Sequence, residues 1–436
     1  MATARRLRGL WIFWSARYDA VMRILLISCV FPPEPVTSAQ TSAQIAQELA
    51  LRGHDVEVLA PFPNRPSGKL YPGYTRRLIR RQKAEEGFRI VRCYSIFSSN
   101  SGMISRFLEN LSFGVTSGLV LLFSRRPEVI YANTWPLFAA GIISAVARIR
   151  RIPLVISMQD IYPELLILRG KIKPGGLAAK VLGWIDGWIS RGSRKLIAIS
   201  DRFAAIYRDE RKVPKDRIHV IPNWMDEDAI IPLAAPEEVR RKHDIPFDAF
   251  LCIYAGNISG AAGVELIVEA FRILERYDNI HLLIAGDGTN LSNCLNLVKK
   301  YSLRRVHFHS PWKIEETSTL LSSANVSIIP TRGEQSLASH PSKLISYMLS
   351  ARPIIAVSLP ESDLANIVNL SRCGWVVNPE RPELIAEKIR DVSRMPSDDL
   401  AHMGILGCNF ALNNLTRKLN LPRAVTLIEN AGGMGI

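Results

Sequence analysis

A lysine in the first turn of a helix is an electrostatic misfit unless something anionic lies beside it. The segment Ser339-His340-Pro341-Ser342-Lys343-Leu344-Ile345-Ser346-Tyr347 sets up that situation. Ser339 suits an N-cap, and Pro341 suits the first helical position, where a missing N–H costs nothing. Leu344, Ile345 and Met348 give the helix a buried side. Free N–H groups and a partial positive charge at such a terminus suit phosphate. Lys343 opposes that dipole and so calls for an anionic ligand. The plainer alternative is a lysine stem laid along apolar surface with its ammonium in water.

Two glycine turns add to this, Gly256-Asn257-Ile258-Ser259-Gly260 and Gly286-Asp287-Gly288. Glycine permits positive φ and the close backbone approach that a bound diphosphate requires. Each turn is a weak signal alone, because glycine commonly ends strands in α/β folds. With the Lys343 helix they point to a cleft for a nucleoside diphosphate. Neither G-x-x-x-x-G-K-[ST] nor G-x-G-x-x-G is present, which disfavours an ATPase or a dinucleotide enzyme. Asp160 follows a strand; it either caps a short helix opening near Tyr162-Pro163 or faces a substrate.

Strands must carry these residues. Arg23–Ser28 reads as a buried strand running into the Pro-rich loop Phe31–Pro35. Ser38–Leu51 has apolar residues at helical spacing, Gly53 ends it, and His54–Ala60 is the next strand. Strand, helix and strand in such a short span make a βαβ unit, hence a parallel sheet. The unit recurs through strands at 129–132, 154–157, 195–200 and 219–222. After the Pro-rich stretch Pro222 to Pro246 the pattern restarts, with strands at 250–255, 281–285, 306–308, 326–329, 353–357 and 375–377. The expected class is α/β: two tandem doubly wound, Rossmann-like domains facing a cleft, with ligands at the carboxyl ends of strands. The expected divisions are an N-terminal extension over 1–22, an N-terminal domain over 23–224, a linker over 225–247, a C-terminal domain over 248–405, and a helical tail over 406–436 crossing back.

Charge is lopsided. Residues 1–235 hold 34 Lys and Arg against 19 Asp and Glu, and the rest of the chain is balanced. This asymmetry suggests that the first half meets something anionic, whether a membrane surface, a phosphorylated acceptor or nucleic acid, although a solubilising surface also accounts for it. No helix-turn-helix, RNA-recognition or zinc-finger pattern accompanies the charge, so no nucleic-acid partner is expected. The six cysteines form no C-x-x-C pair, which argues against a zinc site or a disulfide framework. The longest apolar runs, Leu111–Phe123 and Pro136–Ala147, fall short of the roughly 20 residues of a membrane span. Residues 1–21 join Arg5, Arg6 and Arg8 to Trp11-Ile12-Phe13-Trp14. They read as an extension ahead of a true start at Met22, or else as an interfacial foot.

As an ordered set, Phe31-Pro32-Pro33-Glu34, Leu51-Arg52-Gly53-His54, Gln159-Asp160-Ile161-Tyr162-Pro163-Glu164, Ile221-Pro222-Asn223-Trp224, Tyr254-Ala255-Gly256-Asn257, Ala285-Gly286-Asp287-Gly288 and Pro341-Ser342-Lys343 are specific. The chain resembles the family 4 retaining glycosyltransferases of the GT-B fold, and most of all the branch that builds bacterial exopolysaccharide and O-antigen. The resemblance implies a nucleotide-sugar donor, UDP-linked by family habit, held by the C-terminal domain. Gly256, Asn257 and Lys343 would face the diphosphate, His309 and Ser310 would lie near the base, and Gly286, Gly288, Ser342 and Ser346 would complete the donor site. Glu34, Thr37 and Ser38 would line the acceptor side together with Asn133 and Asp160. Lys343, Asp160 and Asn133 are the expected catalytic residues. No metal and no cofactor are expected, because the helix dipole and Lys343 balance the leaving diphosphate. The implied acceptor is a lipid-linked diphosphate or an oligosaccharide, and the implied place is cytoplasmic, peripheral to the inner membrane. The acceptor hydroxyl would approach the face the diphosphate leaves, and the phosphate itself would take its proton.

Four departures from the family pattern bear on activity. Asn257 and Ala262 stand where Arg and Lys often meet the diphosphate; Ala338 and Ser346 stand where two Glu often do. Asn133 replaces a common His, and Val36-Thr37-Ser38 replaces a glycine pair. Each lost hydrogen bond to a charged group is worth roughly 1.5–3 kcal/mol. Arg332 or Glu334 could compensate from the preceding loop. The alternatives are a catalytically inactive GT-B partner subunit and a nucleotide-sugar epimerase of the same fold working through Asp160 and Asp287.

Overall fold

The computed structural model describes residues 21–65, 68–97, 103–134, 136–234, 236–277, 279–338 and 343–433. Most of the expected N-terminal extension lies outside these residues, as do Ser339, His340, Pro341 and Ser342. By its contacts the chain forms two compact units. The first comprises Met1–Gln159, Lys180–Ile221 and Leu421–Ile436; the second comprises Asp160–Ala179 and Pro222–Asn420. The segment after Gln159 thus groups with the second unit, and the last residues group with the first.

Each unit is built on one doubly wound sheet. The first has eight strands: β1 (Arg23–Ser28), β2 (Asp55–Pro61), β3 (Ile79–Lys83), β4 (Arg89–Cys93), β5 (Val129–Thr134), β6 (Leu154–Met158), β7 (Lys195–Ala198) and β8 (Ile218–Val220). Their spatial order is β3-β4-β2-β1-β5-β6-β7-β8. All neighbours are parallel except β3, which pairs antiparallel with β4. The second has six parallel strands: β9 (Phe250–Ala255), β10 (Ile280–Ala285), β11 (Val306–His309), β12 (Val326–Pro330), β13 (Ile354–Val357) and β14 (Gly374–Val377). Their order is β11-β10-β9-β12-β13-β14. Chain direction across the sheet reverses at β1/β5 in the first unit and at β9/β12 in the second. Loops leaving strands at such reversals splay apart and open a crevice at the carboxyl ends.

Burial follows from the residues. Every residue of β6, β9, β10 and β12 is buried, as strands covered by helices on both faces must be. The β3–β4 hairpin is different and was not legible as strand. β3 reads Ile79-Arg80-Arg81-Gln82-Lys83, an exposed, charged edge that discourages further pairing. Gly87, at φ 94°, closes the turn that joins it to β4.

Helices fill the faces. Met103–Phe123 is a helix of 21 residues, longer than the apolar run that marked it in the sequence. Its Gly114 and Gly118 lie against Ala139, Ile142 and Val146 of the helix Leu137–Ile149. A Cβ on Gly114 would sit 2.7 Å from the Ala139 Cα, so the two helices touch backbone to backbone. Among the described residues no helix is long and apolar enough to cross a membrane. Replacing Gly114 with Val should wedge these helices apart. The expected loss of stability is about 1–3 kcal/mol, read as a lower denaturant midpoint at unchanged slope.

Candidate active site

The second unit gathers its glycine turns into one piece of backbone. Gly256 closes β9 and donates its N–H to the Ala285 carbonyl at 2.9 Å; Gly286 closes β10 and donates to the His309 carbonyl at 3.0 Å. Ile258 donates to Asp287 O at 2.8 Å, and Asn290 donates to Ile258 O at 2.9 Å. Gly256, Gly286 and Gly288 have φ of 149°, 140° and 155°, which L side chains rarely adopt. Space forbids a side chain as well. A Cβ on Gly286 would run into the Gly256 carbonyl, and one on Gly288 would meet Ile258 O and Asn257 Oδ1.

Lys343 lies across this surface. It opens the helix Lys343–Leu349, and its stem covers Gly256 so closely that a Cβ there would collide with the lysine Cε. Its Nζ stands 5.3 Å from the centre of the Tyr254 ring. Among the described residues no carboxylate pairs with it. Burial pushes the ammonium's pKa below its ordinary value, with no counter-charge to restore it. A cation held this way is costly until an anion arrives. Leu344, Ile345 and Met348 are buried, as the sequence suggested. Two tyrosines from the quoted segments, to which the sequence assigned no role, fix the geometry. Ala255 N–H donates to the Tyr347 hydroxyl at 2.7 Å, and that hydroxyl donates to Ala255 O at 3.0 Å. The Tyr254 hydroxyl donates to Asn257 O at 2.7 Å.

Other expected donor residues are placed differently. His309 is buried, with both ring nitrogens engaged: Nδ1 with His243 Nε2 at 2.9 Å and Nε2 with Glu316 Oε2 at 3.1 Å. Its ring therefore has no nitrogen to offer a base; its carbonyl serves the Gly286 turn instead. Ser310 is exposed beside it. The Ser346 hydroxyl donates to the Lys343 carbonyl at 2.8 Å, which leaves only its lone pairs for a ligand. Arg332, a candidate compensating cation, is paired with Glu265, whose other oxygen accepts from Asn290 Nδ2 at 2.7 Å. Glu265 is buried and stands in no motif, so no sequence signal points to it.

Asp160 does not cap the helix that follows it. That helix is Glu164–Leu168, its N-cap position is Pro163, and no side chain caps it. Burial raises the Asp160 carboxyl to about 6, opposed by the positive charge of Arg169. In the first unit the expected acceptor-side residues cluster at the β1/β5 reversal. Glu34 is buried and points inward, accepting from Asn64 N at 3.0 Å and Arg65 N at 2.9 Å, so it shapes its loop and offers no free carboxylate. Asn133 is buried too; its Nδ2 donates to Ser42 Oγ at 2.9 Å and to Ser38 O at 3.2 Å. Its Oδ1 has no partner among the described residues. Ser28 Oγ donates to Val30 O at 2.6 Å and lies 3.0 Å from Ser42 Oγ, completing a polar seam at the strand ends. The side chain of Thr37 lies outside the described residues.

Two outcomes test this geometry. Lys343→Met should weaken UDP or GDP binding at least about tenfold in titration calorimetry while leaving the fold intact, because the half-buried cation over the Gly256 turn is removed. Wild-type affinity should be greatest below the empty site's lowered lysine pKa and should fall as pH rises through it. The diphosphate raises that pKa again, so binding takes up a proton in this window, and the methionine variant should not.

Two family models match the chain. A glycosyl transferase 4-like domain matches residues 37–224, and glycosyl transferases group 1 matches residues 249–394. The chain is 24% identical over 385 residues to the colanic acid biosynthesis glycosyl transferase WcaI of Escherichia coli K12, covering 86% of this chain and 93% of that one. It is 22% identical over 317 residues to the glycosyltransferase WbjE of Pseudomonas aeruginosa, covering 70% and 75%. Among solved structures, sucrose-phosphate synthase of Thermosynechococcus elongatus superposes with a TM-score of 0.73 at 17% identity, covering 95% of this chain and all of that one. HepE of Anabaena, in complex with UDP, gives 0.67 at 13% identity, covering 94% and 100%. The chain belongs to the family 4 glycosyltransferases and has the GT-B fold.

Proposed function

We propose that the enzyme moves a sugar, with retention at the anomeric carbon, from a UDP-sugar to a lipid-linked or saccharide acceptor in bacterial surface polysaccharide synthesis. One observation carries the reading: a half-buried lysine, with no carboxylate partner among the described residues, laid over interlocked glycine turns at the carboxyl ends of β9 and β10. The names of WcaI and of the UDP-bound HepE support the pathway class and the base.

The chemistry follows from charge. As the glycosyl bond breaks, negative charge builds on the β-phosphate. A fixed ammonium and backbone N–H groups that need no reorganisation stabilise that charge best. Lys343 supplies the positive charge at the leaving group, so the reading calls for neither metal nor cofactor. In a retaining transfer the acceptor hydroxyl enters on the face the diphosphate leaves, and the departing phosphate oxygen takes its proton. No dedicated base is required. Asp160 then orients the acceptor by accepting a hydrogen bond as a carboxylate. We place the enzyme in the cytoplasm, at the inner membrane where a lipid-linked acceptor would be met.

The departures at Ala262 and Ser346 keep an inactive partner subunit in view, and turnover decides between the two. Purified chain given a donor panel and a lipid-diphosphate acceptor should transfer one sugar with the anomeric configuration kept. Folded protein that binds UDP yet transfers nothing would contradict the reading. Asp160 has its own signature. kcat/KM should fall as pH drops through about 6, where its carboxyl protonates, and Asp160→Asn should be slow at every pH and lack that acid limb.

A further inference from the structure

Four histidines meet on one face of the second unit's sheet. His307 and His309 alternate along β11, and β10 lies beside it with Leu283 opposite His307, so His281 shares their face. His281 Nδ1 is 3.1 Å from His307 Nε2, with the ring planes 7° apart. His243, just past the helix Glu237–Lys242, reaches the same row. Its Nε2 is 2.9 Å from His309 Nδ1, and its ring centre is 6.5 Å from that of His307. His281 and His309 are buried, and the other two are half-buried. Rings paired this way must share a hydrogen, because an N–H set against an N–H repels.

Glu316 fixes the direction of one pair. Its Oε2 is 3.1 Å from His309 Nε2 and also accepts from Lys313 N at 3.2 Å. A carboxylate only accepts, so His309 Nε2 carries the hydrogen and its Nδ1 the lone pair, to which His243 Nε2 donates. The result is a relay from His243 through His309 to Glu316. It holds the end of β11, where the His309 carbonyl accepts from Gly286 N at 3.0 Å. The ring bonds thus fix the residue on which the Gly286 turn hangs.

Each pair tolerates one added proton and fails at two. A singly protonated pair keeps an N–H facing a lone pair; a second proton sets N–H against N–H. The surroundings resist this charge. Burial foremost, then His309 and Lys242, push His243 below its ordinary value, and Asp244 opposes them. Burial, then His281 and His243, push His307 down to about 4, and Asp244 again opposes. The fold therefore favours neutral rings. Their contribution to stability is present above the ordinary value of 6.5 and is lost as pH falls toward 4.

We propose that His243 and His309, with Glu316, are positioning residues for the donor site: they hold the Gly286 turn in place at neutral pH and, together with the His281–His307 pair, release it in acid, so that affinity for the nucleoside diphosphate falls. The inference rests on the donor reading of the glycine turns, and its test separates the two.

His243→Gln is the informative variant. Its amide donates to His309 Nδ1 as the imidazole does, and turns to present its oxygen once His309 is protonated, so the bond holds in both states. Amide exchange of the full chain, read by mass spectrometry, should show wild-type segments 281–290 and 306–316 losing protection as pH falls from about 6.5 toward about 4, ahead of the rest of the second unit. The variant should keep that protection. UDP affinity by calorimetry should match in the two proteins near pH 7.5 and favour the variant at least about threefold near pH 5. That ratio cancels the titrations of UDP's own phosphate and of Lys343, which both proteins share. His243→Leu, which cannot bond, should bind UDP weakly at both pH values. Superimposable exchange profiles for wild type and His243→Gln would overturn the proposal, as would protection lost evenly over the second unit. If the glutamine variant does not fold, histidine ring titration of the wild type by NMR decides, and ordinary titration of both His243 and His307 would overturn the proposal as well. Acid release of the turn without UDP binding at any pH would keep the histidine switch and refute the donor reading.

Discussion

A half-buried ammonium with no counter-charge among the described residues is the interaction on which the catalytic reading depends. Lys343 is held over Gly256 by packing: its own helix is anchored through Tyr347 to the end of β9, and its stem lies on backbone that carries no side chain. Desolvation penalises this charge, and an anionic ligand relieves the penalty. The same low-dielectric setting that makes the empty site costly makes the filled one strong. A surface lysine could attract a diphosphate but would spend much of that attraction in displacing water.

The glycine turns make this possible. Gly256, Gly286 and Gly288 do more than permit unusual φ values; they let three strand ends pack on one another with carbonyls where side chains would stand. Their hydrogen bonds tie the loops after β9, β10 and β11 into one rigid floor. Rigidity matters because preorganised dipoles stabilise developing charge without the reorganisation that water needs. In the proposed reading, stability and catalysis therefore lean on the same few residues.

The βαβ rhythm, the restart near residue 250 and the glycine turns were legible because each is local: period, apolar run and turn residue all lie within a few positions. What escaped depends on distant partners. β3 carries charged residues where strands usually carry β-branched ones, and only its pairing with β4 makes it the sheet edge. The family resemblance placed His309 at the base and Glu34 at the acceptor, but His243, Glu316 and the Asn64–Arg65 backbone claim their polar atoms. Glu265 stands in no recognisable motif, and Tyr254 and Tyr347 lie in quoted segments without a role of their own there; what they do arises from atoms brought close by the fold. The helix Met103–Phe123 was visible only as an apolar run too short for a membrane span.

The most direct test is a crystal structure with UDP bound. The account predicts the β-phosphate within hydrogen-bonding distance of Lys343 Nζ, seated on the Gly256 turn. A diphosphate bound elsewhere in the chain, or a Lys343 side chain turned away into solvent with UDP present, would contradict it.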